Sequence, residues 1–198
     1  MPSFIKDKIK ESLIIYQKYS DLYKKYNEHK LLQFQLNEFI SKLPKKARVL
    51  DAGCGTGRDA KYLQEEGLEV LAVDVSEEML KEAKEKNLKT KQLDLTKEKT
   101  EEKFQGIWCM ALISELSNEE AQKVINNFQE MLDDRGILYL SMKYGQGIKE
   151  QEDPRYNNIK RIFQLYDEEK TKKLLSNFKI LKLMKSEGWL EVIATLNP

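Results

Sequence analysis

An α/β fold, a parallel sheet covered by helices on both faces, is what this sequence predicts, and three observations carry the prediction. From Arg48 to Lys143, short apolar runs alternate with segments of 3.6-residue periodicity, the pattern of strands joined by crossover helices. Three glycines, Gly53, Gly55 and Gly57, stand at alternate positions directly behind the first run. The last two runs, Phe178–Lys185 and Trp189–Thr195, are separated only by a turn around Glu187-Gly188. Strands so close in sequence pair antiparallel.

The 198 residues suffice for one domain with its own core. With 34 basic against 33 acidic side chains the net charge is +1, so no overall basic field exists to hold nucleic acid, which is a poor fit as a partner. Cys54 and Cys109 are isolated from each other and from the single histidine. Neither a metal site nor a disulfide framework is suggested, and a reducing cytoplasm fits. The opening Met1–Asp7 lacks the apolar core of a signal peptide, and no later run is long enough to span a bilayer.

A helical cap is expected over residues 1–43, clearest where Leu32, Leu36, Phe39, Ile40 and Leu43 share one face. Ahead of them Tyr16, Tyr19, Tyr23 and Tyr26 fall at three- and four-residue intervals. Such a stripe packs on a core or, in the sharper reading, covers a ligand as a lid. Next come a strand at Arg48–Ala52, a helix near Arg58–Glu66 stopped by Gly67, and a strand at Glu69–Asp74. Ser76 followed by Glu77 and Glu78 starts a helix that runs to about Asn87, the acids facing the positive end of its dipole. Strands are expected at Thr90–Leu95, Gly106–Leu112 and Ile137–Lys143. Between the last two, Ser117 and Glu120 have capping-box spacing ahead of a helix with Ala121, Val124, Ile125, Phe128, Met131 and Leu132 in phase. A further helix is expected at Asp167–Ser176. Residues 144–166 form a long polar insertion with Gly145, Gly147 and Pro154, expected to hold some helix or a cover on the substrate side.

The glycine turn carries the chemistry. A buried strand that ends in an acid and runs through glycines into a helix start presents backbone N–H groups to a ligand lying against the chain. The spacing is G-x-G-x-G, not the G-x-G-x-x-G of a dinucleotide site, and no Gly-Lys-Ser/Thr follows to make a phosphate loop. Asp51 before the first glycine suits an ammonium better than a pyrophosphate. Asp74, ending the next strand, can accept both hydroxyls of a ribose. Asp94 could accept an exocyclic amine while the Leu95 N–H reaches a ring nitrogen, or it could simply cap the following turn. Met79 suits the core and, one turn past Asp74, also a face for a flat base.

These residues resemble the successive motifs of the class I S-adenosylmethionine-dependent methyltransferases, a likeness that runs from about Leu31 to the end. It implies one domain over residues 1–198 with a Rossmann-like, seven-stranded, mostly parallel sheet whose last strand is antiparallel. It also implies S-adenosylmethionine as cofactor, S-adenosylhomocysteine as product, and cofactor contacts from Asp51, Ala52, Gly53, Gly55, Gly57, Asp74, Val75, Met79, Asp94, Leu95 and Met110. A closer likeness is to a microbial branch of small single-domain methyltransferases, through Ile107–Ala111, Lys143-Tyr144-Gly145, Arg161-Ile162-Phe163 and Trp189-Leu190. Where those relatives place a histidine after the fourth strand this chain has Glu115, and Met110 replaces an expected asparagine.

Catalytic residues are not identified by this likeness. Glu115 is a candidate base, Lys143, Arg161 and Tyr166 are candidates for the substrate side that would favour an anionic acceptor, and His29 lies far upstream. The function implied is methyl transfer to a small molecule by direct displacement. A protein or RNA methyltransferase and a non-catalytic cofactor-binding module are the alternatives. The absence of an Asn-Pro-Pro-Tyr/Phe run behind the fourth strand argues against adenine or glutamine amides as acceptors.

Overall fold

The structure, a computed structural model, describes residues 14–27 and 31–197; the opening segment and His29 lie outside them. Residues 14–18 are helical and lead into α1 (Ser20–Asn27), followed by α2 (Gln33–Ile40). The alternating portion then runs β1 (Arg48–Ala52), α3 (Arg58–Glu65), β2 (Glu69–Asp74), α4 (Glu77–Glu85), β3 (Lys89–Gln92) and β4 (Phe104–Met110). A 3-10 turn at Ile113–Glu115 precedes α5 (Asn118–Met131) and β5 (Leu132–Lys143). The tail contains β6 (Ile148–Asp153), a 3-10 turn at Pro154–Tyr156, β7 (Ile159–Gln164), α6 (Glu168–Leu174), β8 (Phe178–Ser186) and β9 (Trp189–Leu196).

Seven strands form one sheet in the order β3-β2-β1-β4-β5-β9-β8. β9 runs antiparallel to both of its neighbours, and the remaining pairings are parallel. The tail hairpin expected from the sequence is therefore present, and β9 is the reversed strand. After β1 the chain winds outward to β2 and β3, then returns to β4 on the other side. Where the winding reverses, the helices diverge and leave a crevice at the carboxyl ends of the strands. Cores fill both faces. Leu50, Leu71 and Leu138 pack with Val124 and Phe128 of α5 on one side. Val49, Ala72 and Trp108 pack with Phe39 of α2 and Leu63 of α3 on the other.

Four boundaries differ from expectation, each for a local reason. β3 stops at Gln92 because the Asp94 side chain accepts from the Thr96 N–H and hydroxyl and folds residues 94–98 into a turn. β4 starts earlier, at Phe104, and stops at Met110 because Ala111 takes φ +64°. β5 follows α5 without a loop, and its register against β4 shifts between Phe104 and Gly106. Residues 144–166 contain no α-helix; they form the antiparallel pair β6 and β7, a second small sheet joined through the 3-10 turn. A chain of alternating polar residues such as Ile148–Asp153 carries too little apolar content to announce a strand. Capping is as expected: Ser76 accepts from the Met79 N–H, and Ser117 with Glu120 forms a complete capping box. No helix among the described residues is long and apolar enough to cross a membrane.

Gly57 illustrates how tightly the first crossover is built. It takes φ +78°, and a Cβ there would lie 2.5 Å from Leu88 Cδ1 and 2.9 Å from Ala83 Cβ. Both the left-handed backbone and the contact with α4 exclude a side chain. Gly57→Ala is expected to destabilise the fold by about 2–4 kcal/mol, seen as a lower urea midpoint at unchanged m-value.

Candidate functional site

The turn behind β1 is shaped by its glycines: Gly53, Gly55 and Gly57 all have positive φ. The N–H groups of Gly53 and Cys54 both donate to the Val73 carbonyl at 2.9 Å, tying the turn to β2. Asp74 completes the tie. One carboxylate oxygen accepts from the Gly55 N–H at 2.9 Å, and the other accepts from the Ser76 N–H, also at 2.9 Å. Burial pushes the Asp74 carboxyl above its ordinary range, while the N–H bonds from Ser76 and Gly55 pull it back.

Three adjoining cavities open over this turn, all lined by Gly53. The main one, open to solvent, spans about 600 Å³ between the turn, Asp74 and Val75 after β2, Met79 of α4, and Met110–Leu112 after β4. Tyr16 and Tyr23 line it from the N-terminal segment. Their rings meet edge to face at 5.4 Å, and the Tyr23 hydroxyl lies about 3.1 Å from where a Cβ on Gly55 would stand. Two of the four striped tyrosines therefore border the cavity. Tyr19 instead packs on Tyr156, and Tyr26 is 40% exposed.

A second cavity, polar, is lined by Asp51, Thr56, Arg58 and Asp59. Asp51 is buried, and its Oδ2 has no hydrogen-bond partner among the described residues. Burial, then the neighbouring Asp59 charge, raises its carboxyl well above the usual range. Arg58 grips Asp59 through Nε at 2.7 Å and Nη2 at 3.0 Å, and the Trp108 indole donates to the same carboxylate at 3.0 Å. Arg58 also donates to the Asn27 carbonyl at 3.0 Å. Arg58, Asp59 and Trp108 were absent from the sequence-based candidates. The available signal was a charged pair opening a helix directly behind the glycine turn, with Asp59 in phase with Ala60 and Leu63 on the buried face. The third cavity is mainly apolar, lined by Leu93, Leu95, Leu112 and Val124 beside Asp74 and Val75.

The structure thus brings most of the expected cofactor residues together. Gly53, Gly55, Asp74, Val75, Met79 and Met110 border the main cavity, Asp51 the polar one and Leu95 the apolar one. Ala52 lies in the core, and Gly57 packs on Ala83 and Leu88. Asp94 borders none of the three cavities; it is engaged in its turn and paired with Lys97. Of the catalytic candidates Glu115 alone borders the main cavity. Its Oε1 accepts from the Tyr16 hydroxyl at 2.5 Å and from Arg161, which is itself buried and also paired with Asp153 at 3.2 Å. Burial alone would lower the Arg161 pKa, but Glu115, Tyr16 and Tyr156 raise it overall, so the guanidinium is firmly charged. The Lys143 ammonium stands over the rings of Phe163 and Trp189, and Tyr166 is buried in the core. Among the described residues neither lysine nor arginine borders the main cavity. Among the described residues no three of His, Cys, Asp or Glu gather as a metal ligand set.

With this geometry established, comparison with known proteins is informative. Residues 49–136 match the methyltransferase-domain family. A 62-residue stretch is 44% identical to the malonyl-acyl-carrier-protein O-methyltransferase of Enterobacter lignolyticus, covering 30% of this chain and 25% of that enzyme. Matched segments span 30%, 25% and 17% of the first three curated relatives, so the likeness to them is confined to part of each. Solved structures share the fold over nearly the whole chain. DhpI, in complex with S-adenosylhomocysteine, superposes with a TM-score of 0.74 at 13% identity, covering 96% of each chain. The 1,6-didemethyltoxoflavin-N1-methyltransferase of Burkholderia thailandensis gives 0.71 at 17% identity, covering 100% of this chain and 93% of that one.

Two stability outcomes follow from the buried acids. Asp59→Leu strands the Arg58 guanidinium and the Trp108 indole, and is expected to cost about 3–5 kcal/mol, measured by urea unfolding. Asp51 behaves oppositely. Its carboxyl is raised in the folded state, so the folded protein binds more protons than the unfolded chain above about pH 4. Stability contributed by its protonated form is lost as pH rises through the folded value. Asp51→Asn is expected to raise the melting temperature at pH 7, with the gain shrinking towards zero near pH 4.

Proposed function

We propose, from the premise that residues 49–136 are a methyltransferase domain, that this chain binds S-adenosylmethionine along the three cavities and transfers its methyl group to a small-molecule acceptor. The observation that carries the reading is the order of chemistry along that trough. A buried unpartnered carboxylate and a guanidinium stand at one end, a strand-end acid in the middle, and leucines at the other. This order suits an amino-acid end, a ribose and a flat base.

The residues fit the cofactor without rearrangement of the sheet. Asp51 Oδ2 would receive an ammonium that satisfies its missing bond, and Arg58 stands across the same cavity for a carboxylate. Asp74 would accept from ribose hydroxyls in addition to the two N–H groups it already holds. Leu93 and Leu95 would flank the base, the Leu95 N–H being the donor that the sequence points to. Asp94 would have to leave its turn to join them.

When bound, the cofactor supplies the methyl group on a positively charged sulfur. The protein's contribution is alignment and exclusion of water, which can be worth roughly 7–11 kcal/mol when reacting groups are held in line. Tyr16, Tyr23, Met110 and Leu112 wall the space next to the turn and keep it largely apolar. Glu115, whose Oε1 is already engaged by Arg161 and Tyr16, would serve to orient the acceptor. The Burkholderia thailandensis enzyme, crystallised with 1,6-didemethyltoxoflavin and S-adenosylhomocysteine, supports a small acceptor. The carrier-protein substrate in the name of the Enterobacter relative bears on this less, since that match covers only a quarter of the enzyme.

Calorimetric titration with S-adenosylmethionine and S-adenosylhomocysteine tests the reading, with NADH as control. Both are expected to bind and NADH is not. Asp74→Ala is expected to weaken the affinity at least tenfold, as the loss of a charge-assisted hydrogen bond of about 1.5–3 kcal/mol requires. Unchanged affinity in that variant would refute the assigned binding mode.

A further inference from the structure

The compartment left beside the proposed cofactor has an uneven charge. Among the described residues the border of the main cavity carries two carboxylates, Asp74 and Glu115, and neither lysine nor arginine. Asp74 uses one oxygen for Gly55 and the other for Ser76. Glu115 is different: both of its bonds, from Tyr16 and Arg161, land on Oε1. Among the described residues Oε2 accepts no hydrogen bond, and it is not among the sealed, unpartnered atoms. It belongs to a side chain that borders the main cavity and is braced by Arg161 and Tyr16.

The backing matters as much as the oxygen. Arg161 is buried between Glu115 and Asp153, with its guanidinium 5.4 Å from the Tyr16 ring, 5.5 Å from Tyr156 and 4.8 Å from Phe163. A guanidinium held on five sides cannot turn towards a ligand. An ionised carboxylate accepts hydrogen bonds and donates none. With Asp74 given to the ribose, a carboxylate or phosphate ligand would meet Glu115 with neither lysine nor arginine among the described residues that border the cavity.

We propose that the methyl acceptor is an amine, and that Glu115 Oε2 is the specificity-determining group that receives its N–H. The inference rests on the cofactor reading for where the acceptor lies, and on the cavity wall for what the acceptor is. A hydroxyl could use the same oxygen, but it does not protonate to a cation that the Glu115 carboxylate would attract.

The test is calorimetry on the chain saturated with S-adenosylhomocysteine, using three probes of one shape: benzylamine, benzyl alcohol and benzoate. Benzylamine is expected to bind at least tenfold more tightly than either of the others. Glu115→Gln is expected to abolish that preference while changing the affinity for S-adenosylhomocysteine by less than threefold. Because this substitution strands Arg161, Glu115→Gln combined with Arg161→Met is run beside it, and a thermal melt reports folding for each. Equal or tighter binding of benzyl alcohol or benzoate, absence of amine binding, or a preference that survives in the folded variant overturns the proposal. Failure of S-adenosylhomocysteine to bind the parent chain would instead sink the cofactor reading. The three probes are then compared on the cofactor-free chain by the same criteria.

Discussion

The Asp74 carboxylate holding the Gly55 and Ser76 N–H groups is the interaction on which the site depends. It joins the turn that follows β1 to the start of α4, two places that adjacent parallel strands bring together but do not otherwise bond. A buried negative charge is expensive unless hydrogen-bonded, and here its partners are backbone groups that cannot wander. The glycine turn keeps its open shape because Asp74 and the Val73 carbonyl hold it from one side while no side chain fills it from within. The protein's own N–H groups thereby fix the orientation of this acid on the cavity border.

The features legible in the sequence were those with local causes. The glycine turn declares itself because three positive-φ positions demand three glycines, and the helix starts at Ser76 and Ser117 because their caps are formed within four residues. The antiparallel tail hairpin followed from the short spacing of its strands, the reversed last strand of a seven-stranded sheet from the family resemblance, and the strand order came only with the structure. What stayed hidden depends on partners distant in sequence. The Arg58, Asp59 and Trp108 cluster joins residues 49 positions apart, and the Arg161 network joins β7 to the 3-10 turn after β4 and to Tyr16. No periodicity records such pairs. Asp94 shows the converse problem: one acid at a strand end has the same sequence signature whether it greets a ligand or caps its own turn.

A division of labour follows from where these residues lie. The segment that matches the methyltransferase-domain family, residues 49–136, supplies the glycine turn, Asp74, Glu115 and the leucines. Tyr16, Tyr23 and Arg161, which wall and brace the remaining side, come from outside it. On the proposed reading, the matched portion would hold the cofactor and the flanking portions would shape the space for the acceptor.

Tyr16 and Arg161, bonded at 2.7 Å, are separated by 145 residues of chain. On a ribosome adding about 5–20 residues per second, the tyrosine joins the chain roughly 7–29 seconds before its guanidinium exists. Tyr16 therefore has no partner at Arg161 until β7 has been made, with β8 and β9 of the main sheet still to follow.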